Sequence, residues 1–208
     1  FASPVAVCES GRRSRYTAAM QGHPELPSRS SWPRHSGLLL HITSLPGPGG
    51  CGDLGPNAYR FLDHLVRGGQ RAWQVLPIGP TGFGDSPYQT SSVLGGNPLF
   101  LSIDKLVEEG LLPREVLDAA PVESATADFA AAQAYKWPLF DRAFLSLRDG
   151  NSEALTRLRS DFRSFVETER GWLDNYALFM AVKEEQQLRP WTDWPAPLRD
   201  RFGQVFAL

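Results

Sequence analysis

Two short apolar runs lack the alternation of a half-exposed strand: Leu38-Leu39-Leu40-His41-Ile42 and Ala72-Trp73-Gln74-Val75-Leu76. Such runs, bounded by Gly and Pro, predict strands buried on both faces. Between them Pro56 opens a helix as a first-turn residue. Ala58, Phe61, Leu62, Leu65 and Val66 then recur at helical spacing, and Gly68-Gly69 ends the element. Strand, helix, strand within about forty residues is a βαβ unit, so the strands should be parallel neighbours with a right-handed crossover.

Past Asn97-Pro98 the period changes to helical for about ninety residues. The pattern predicts a short helix from Ile103 to Leu112 and another from Pro113. A longer one runs from Asp128 to Leu147, kinked or split at Pro138. Ser152 to Glu169 is the next helix, Gly171 breaks it, and Trp172 to Gln187 resumes it. The aromatic stripe of this block, with Phe129, Tyr135, Phe140, Phe144, Phe162 and Phe165, reads as core. Trp191 and Trp194, in RPWTDWPAP, read as caps on the bundle, with a groove-facing position as the alternative.

Three regions result: residues 1–36, 37–102 with the two βα units, and 103–208 with the helical insertion. The first is rich in Ser, Pro and Arg and poor in large apolar groups, so it is expected to be disordered. The chain opens at Phe1 and closes on Ala207-Leu208 within an apolar pattern. Both ends therefore read as cut, with Met20 an alternative start.

A net charge of −2 over 208 residues argues against a nucleic-acid footprint or an anionic membrane surface. No apolar run approaches the ~18 residues of a membrane span. Cys8 and Cys51 form no CxxC, and His23, His35, His41 and His64 have no metal-binding spacing. A reducing cytoplasm is the expected compartment. Gly47-x-Gly49-x-x-Gly52 is a literal GxGxxG between strand and helix. A dinucleotide site also wants an acid at the end of the next strand, and Leu76-Pro77-Ile78-Gly79-Pro80 supplies none.

The richest chemistry follows the second strand. GFGDSPYQ places Asp85, Ser86, Tyr88 and Gln89 within five residues. A carbohydrate site needs that mixture, polar groups for hydroxyls and a flat ring for the apolar face of a pyranose. The plainer reading is a loop whose Asp and Ser bond their own backbone.

The stretches LLLHITSLPGPGGCGDLG, GQRAWQVLPIGPTGFGDSPYQ, GNPLFLSIDKLVEEGLL, YKWPLF, DNYALFMA and PWTDWPAPLR follow one another as in a known family. From Gly37 to Leu208 the chain resembles the 4-α-glucanotransferases, the amylomaltases or disproportionating enzymes of glycoside hydrolase family 77. That resemblance implies an α/β fold, the first part of a (β/α)₈ TIM-type barrel. It supplies strands one and two, with the helical block inserted after strand two. Such barrels build their sites from loops at the strand C-termini, where GDSPYQ falls.

The implied activity is transfer of α-1,4-glucan segments between maltooligosaccharides, or starch- and glycogen-derived glucans, with retention. No organic cofactor or metal is implied. Tyr88 matches a tyrosine that stacks on the sugar at the cleavage point, and Ser86 matches a hydroxyl of the same pocket. Asp85 and Gln89 belong to the motif with loop-holding or lining roles. Phe83 stands where tyrosine is frequent in the family. The family's catalytic carboxylates come from later strands, so no catalytic residue is expected here and the chain alone is expected to be inactive. A substitute pair from Asp53 and Asp85 is disfavoured, since two βα units cannot enclose a sugar. The competing class is a non-catalytic glucan-binding protein.

Overall fold

The computed structural model describes residues 6–7 and 34–200. β1 is Ala6–Val7, β2 is Gly37–Leu39, α1 is Pro56–Arg67 and β3 is Ala72–Gln74. They form one sheet in the order β1-β3-β2. β2 and β3 are parallel, with Leu38 opposite Trp73, as the βαβ reading requires. β1 pairs antiparallel with β3, Ala6 opposite Trp73. The N-terminal segment expected to be disordered thus contributes a strand, and its residues 1–5 and 8–33 lie outside the described residues.

α1 starts at Pro56 and is capped by Gly68, whose N–H bonds the His64 carbonyl. Its apolar stripe closes on β3, where Phe61 meets Trp73 edge to face with centroids 5.0 Å apart. Trp73, Ile42, Leu45, Ala58, Leu65 and Phe100 form the core beneath the sheet. The Trp73 indole N–H donates to the Leu40 carbonyl at 2.7 Å, tying the two strands at their ends.

Both strands are shorter than their apolar runs. β2 stops at Leu39, and Ile42–Ser44 is a tight 3-10 turn closed by Leu45 N–H on the Ile42 carbonyl. The expected burial on both faces does not hold for β2, whose Leu38 and Leu39 are 50% and 58% exposed. β2 is an edge of this sheet among the described residues, and its Leu38 and Leu39 lie outside the buried cluster that covers Trp73.

The helical block comprises α2 (Ile103–Glu108), α3 (Phe129–Asp149), α4 (Glu153–Glu185) and α5 (Ala196–Arg199). Ile103, Leu111, Leu112, Val116, Ala143 and Leu155 make its core, and Arg114–Ala119 is a 3-10 segment rather than an α-helix. Asp128 and Ser152 cap α3 and α4 by accepting N–H bonds from Ala131 and Leu155.

Neither proline nor glycine splits its helix. α3 continues through Pro138, and α4 runs through Gly171 as one helix of 33 residues. A helical glycine costs only about 1 kcal/mol relative to alanine, which the flanking Leu, Phe and Met stripe outweighs. The aromatic stripe is also less buried than expected. Phe144 of α3 is about half exposed, and so are Phe162 and Phe165 of α4, which reaches roughly 50 Å, well past the cluster at its first turn.

Candidate functional site

The chain leaves β3 through Val75 to Pro80 and enters a loop closed at its neck by an antiparallel bridge between Thr81 and Thr90. Gly82 N–H donates to the Gln89 carbonyl at 2.7 Å. Inside the neck, Phe83–Asp85 makes a 3-10 turn in which Gly84 and Asp85 both take positive φ, 70° and 53°. Aspartate is among the few side chains that tolerate this region. Ser86 returns to extended backbone, Pro87 and Tyr88 turn, and Gln89 N–H bonds the Ser86 carbonyl at 3.1 Å.

The four motif residues fare differently. Ser86 is half-buried, and its Oγ accepts the Tyr88 N–H at 3.4 Å, so the local turn expected of a serine here is present. Asp85 does not bond its own loop through its side chain. Its Oδ1 accepts from the Gln133 amide of α3 at 3.3 Å. The Tyr88 ring is 71% exposed, so it does not serve to pack the loop. Gln89 is exposed beside it. The Phe83 side chain lies outside the described residues.

The loop after β2 approaches from the other side. Gly50 and Gly52 are required there: a Cβ on Gly50 would stand 2.6 Å from the Ala132 backbone nitrogen, and one on Gly52 2.3 Å from the Ile42 carbonyl. Gly52 of the GxGxxG pattern therefore serves close packing against the 3-10 turn, while Gly50, between its glycines, is the residue that lets the loop pack on α3. Asp53 holds the loop's end, accepting the Gly55 N–H with Oδ1 at 2.9 Å and an ion pair from Lys136 with Oδ2 at 2.9 Å. The Lys136 ammonium also donates to the carbonyls of Leu99 and Leu101, at 2.8 and 3.0 Å. All three of its protons are thereby used.

Lys136 was not singled out from the sequence. The available signal was a lysine on the inward stripe of a helix, between Ala132 and Leu139-Ala143. Burial pushes the neighbouring Cys51 thiol up, Lys136 opposes this, and Asp53 and Asp85 add to it. Those four side chains thus share one electrostatic neighbourhood. Asp53, held by Lys136 and Gly55, ties the end of this loop to α3.

On the far side α4 braces the segment that follows the loop. The Ser91 hydroxyl contacts Met180 Sδ at 3.9 Å, and the Tyr176 ring fills the space a Cβ on Gly95 would need. Burial raises the Tyr176 phenol, and its bond with Ser91 acts the other way.

The family model described as 4-alpha-glucanotransferase matches residues 40–207. The chain belongs to that family. Among curated 4-alpha-glucanotransferases, that of Thermus thermophilus is 45% identical over 169 residues, 81% of this chain and 33% of the relative. The chloroplastic/amyloplastic 4-alpha-glucanotransferase of Arabidopsis thaliana is 40% identical over 168 residues, 81% of this chain and 29% of the relative. In structure, the amylomaltase from Streptococcus agalactiae in complex with acarbose superposes with a TM-score of 0.74 at 34% identity. That match covers 84% of this chain and 35% of the amylomaltase. The chain spans about a third of the length of the curated relatives it matches. As a 4-alpha-glucanotransferase family chain it has the α/β fold of the first part of a (β/α)₈ barrel, with β2 and β3 as its first two strands. Among the described residues no helix is long and apolar enough to cross a membrane.

Proposed function

We propose that the whole protein is a 4-alpha-glucanotransferase, transferring α-1,4-glucan segments between maltooligosaccharides with retention of configuration. The observation that carries this is the exposed Tyr88 ring, standing on a braced loop at the C-terminal side of a barrel strand, with half-buried Ser86 and Asp85 beside it. An exposed ring on an ordered loop offers a face to a pyranose at little further ordering cost. In this reading Tyr88 stacks on the sugar, Ser86 and Gln89 line the pocket, and Asp85 holds the loop. The family's named activity and the solved amylomaltase complex with acarbose support it.

The chemistry belongs to carboxylates outside this chain. A carboxylate nucleophile forms a glycosyl-enzyme intermediate, a second carboxylic acid protonates the departing oxygen, and an acceptor sugar replaces water. In this reading Asp53 has a structural role, holding the β2 loop to α3 through Lys136 and Gly55. Substrates are maltooligosaccharides and starch- or glycogen-derived glucans, and the compartment is the cytoplasm. Incubating the whole protein with maltotriose tests the reading. Glucose together with dextrins longer than maltotriose is the expected result. Bound but unconverted dextrin would favour a glucan-binding protein instead, and neither binding nor transfer would overturn both.

A further inference from the structure

The helix α3 reaches both loops that follow the two parallel strands. Lys136 grips the β2 loop through Asp53 and the 99–101 segment through two carbonyls. Three residues earlier, on the adjacent face, Gln133 donates to Asp85 of the GDSPYQ loop. The first turn of α3 is pinned as well: Asp128 N–H donates to the Gly50 carbonyl at 2.7 Å, and Ala132 is wholly buried beneath it. The position of α3 is therefore fixed by backbone packing and a buried ion pair. Gln133 projects from that fixed helix to the one residue of the loop that combines a side chain with positive φ. Aspartate tolerates the left-handed region but does not prefer it, so its backbone there gains from an additional restraint. A bond from outside the loop selects that conformer, and with it the direction of Ser86 and Tyr88.

We infer that Gln133 is a positioning residue for carbohydrate binding: from the helical insertion it holds Asp85, and so presents Ser86 and Tyr88 to the sugar. The inference rests on the proposed glucan-transfer reading for its effect on turnover, while its effect on the loop is independent of any activity. Alanine is a better helix former than glutamine, so Gln133→Ala should leave the helix intact.

The test uses the whole protein. Gln133→Ala should raise amide exchange at Gly82, Asp85 and Gln89, whose N–H groups are bonded within the loop. Its melting temperature should stay within about 2 °C of wild type, as for a substitution outside the core. With maltotriose, kcat/KM should fall roughly tenfold, the size of one charge-assisted hydrogen bond lost. Asp85→Asn keeps a side-chain oxygen acceptor and should retain most of the turnover. In a double-mutant cycle, Gln133→Ala should add little to Asp85→Ala, because both remove the same contact. Unchanged loop exchange in Gln133→Ala, or additive losses in the cycle, would overturn the inference. A wild-type protein without transfer activity overturns the functional reading instead, and the exchange measurement still decides whether Gln133 holds the loop.

Discussion

Lys136 Nζ lies 2.9 Å from Asp53 Oδ2, in an ion pair whose lysine side chain is only 1% exposed and whose aspartate is 17% exposed. This pair joins the helical insertion to the first βα loop of the barrel. Removing one partner of a buried pair leaves the other uncompensated, at about 3–5 kcal/mol. Lys136→Met would strand a carboxylate and two backbone carbonyls, so it should fall in that range. Asp53→Asn leaves the ammonium all three oxygen acceptors and should cost less. Urea unfolding of the two variants gives the order, and a larger loss in Asp53→Asn would contradict the clamp.

The sequence made the βαβ unit legible because its signals are local. Pro56 fixes the helix start, Gly68-Gly69 its end, and the shortness of the two apolar runs between Gly and Pro favours strands. Pro138 and Gly171 do not split their helices because each is a single unfavourable residue within a long favourable stripe. The exposure of Leu38 and Leu39 was equally hidden, since strand order in the sheet is a tertiary property. For the site, residue types announced Asp85, Ser86, Tyr88 and Gln89. Gln133 and Lys136 are ordinary helical residues until α3 is seen lying across both loops.

The same edge exposure bears on the chain in isolation. Among the described residues β2 presents an unpaired edge together with two exposed leucines, a template for association with other copies. The 208-residue chain expressed alone should aggregate on warming and should not disproportionate maltotriose, since two βα units do not enclose a sugar between two carboxylates. Light scattering during a melt and chromatography of the sugars check both halves. A sharp reversible melt, or dextrins longer than maltotriose, would refute the corresponding half.

His41 should make stability pH-dependent. Burial holds its imidazole below the ordinary value of 6.5, and its ring packs edge-on to Phe100 with centroids 5.6 Å apart. A depressed histidine means that the unfolded state binds the proton more readily, so stability rises with pH across this window. It is fully present above the ordinary value and declines as pH falls through it toward the lower folded value. Melting temperatures at about pH 7.5 and about pH 5.5 should differ more in wild type than in His41→Leu. Equal differences would assign the acid sensitivity elsewhere.

Tyr88 separates recognition from stability more cleanly than any other site residue. Its ring is 71% exposed and its backbone N–H, rather than its phenol, makes the bond to Ser86. Tyr88→Ala should therefore leave the melting temperature of the whole protein nearly unchanged, as for other exposed positions within about ±0.5 kcal/mol. Its effect on turnover should be large. A ring face against a sugar is worth about 0.5–1.5 kcal/mol beyond burial, and more where it also holds the sugar distorted toward an oxocarbenium-like state. Tyr88→Phe keeps the face and loses at most one hydrogen bond of about 0.5–1.5 kcal/mol. The expected order of kcat/KM is wild type, then Phe, then Ala, with the larger step between Phe and Ala. If Ala matched wild type per folded molecule, the exposed ring would have no sugar to meet and the stacking assignment would fall.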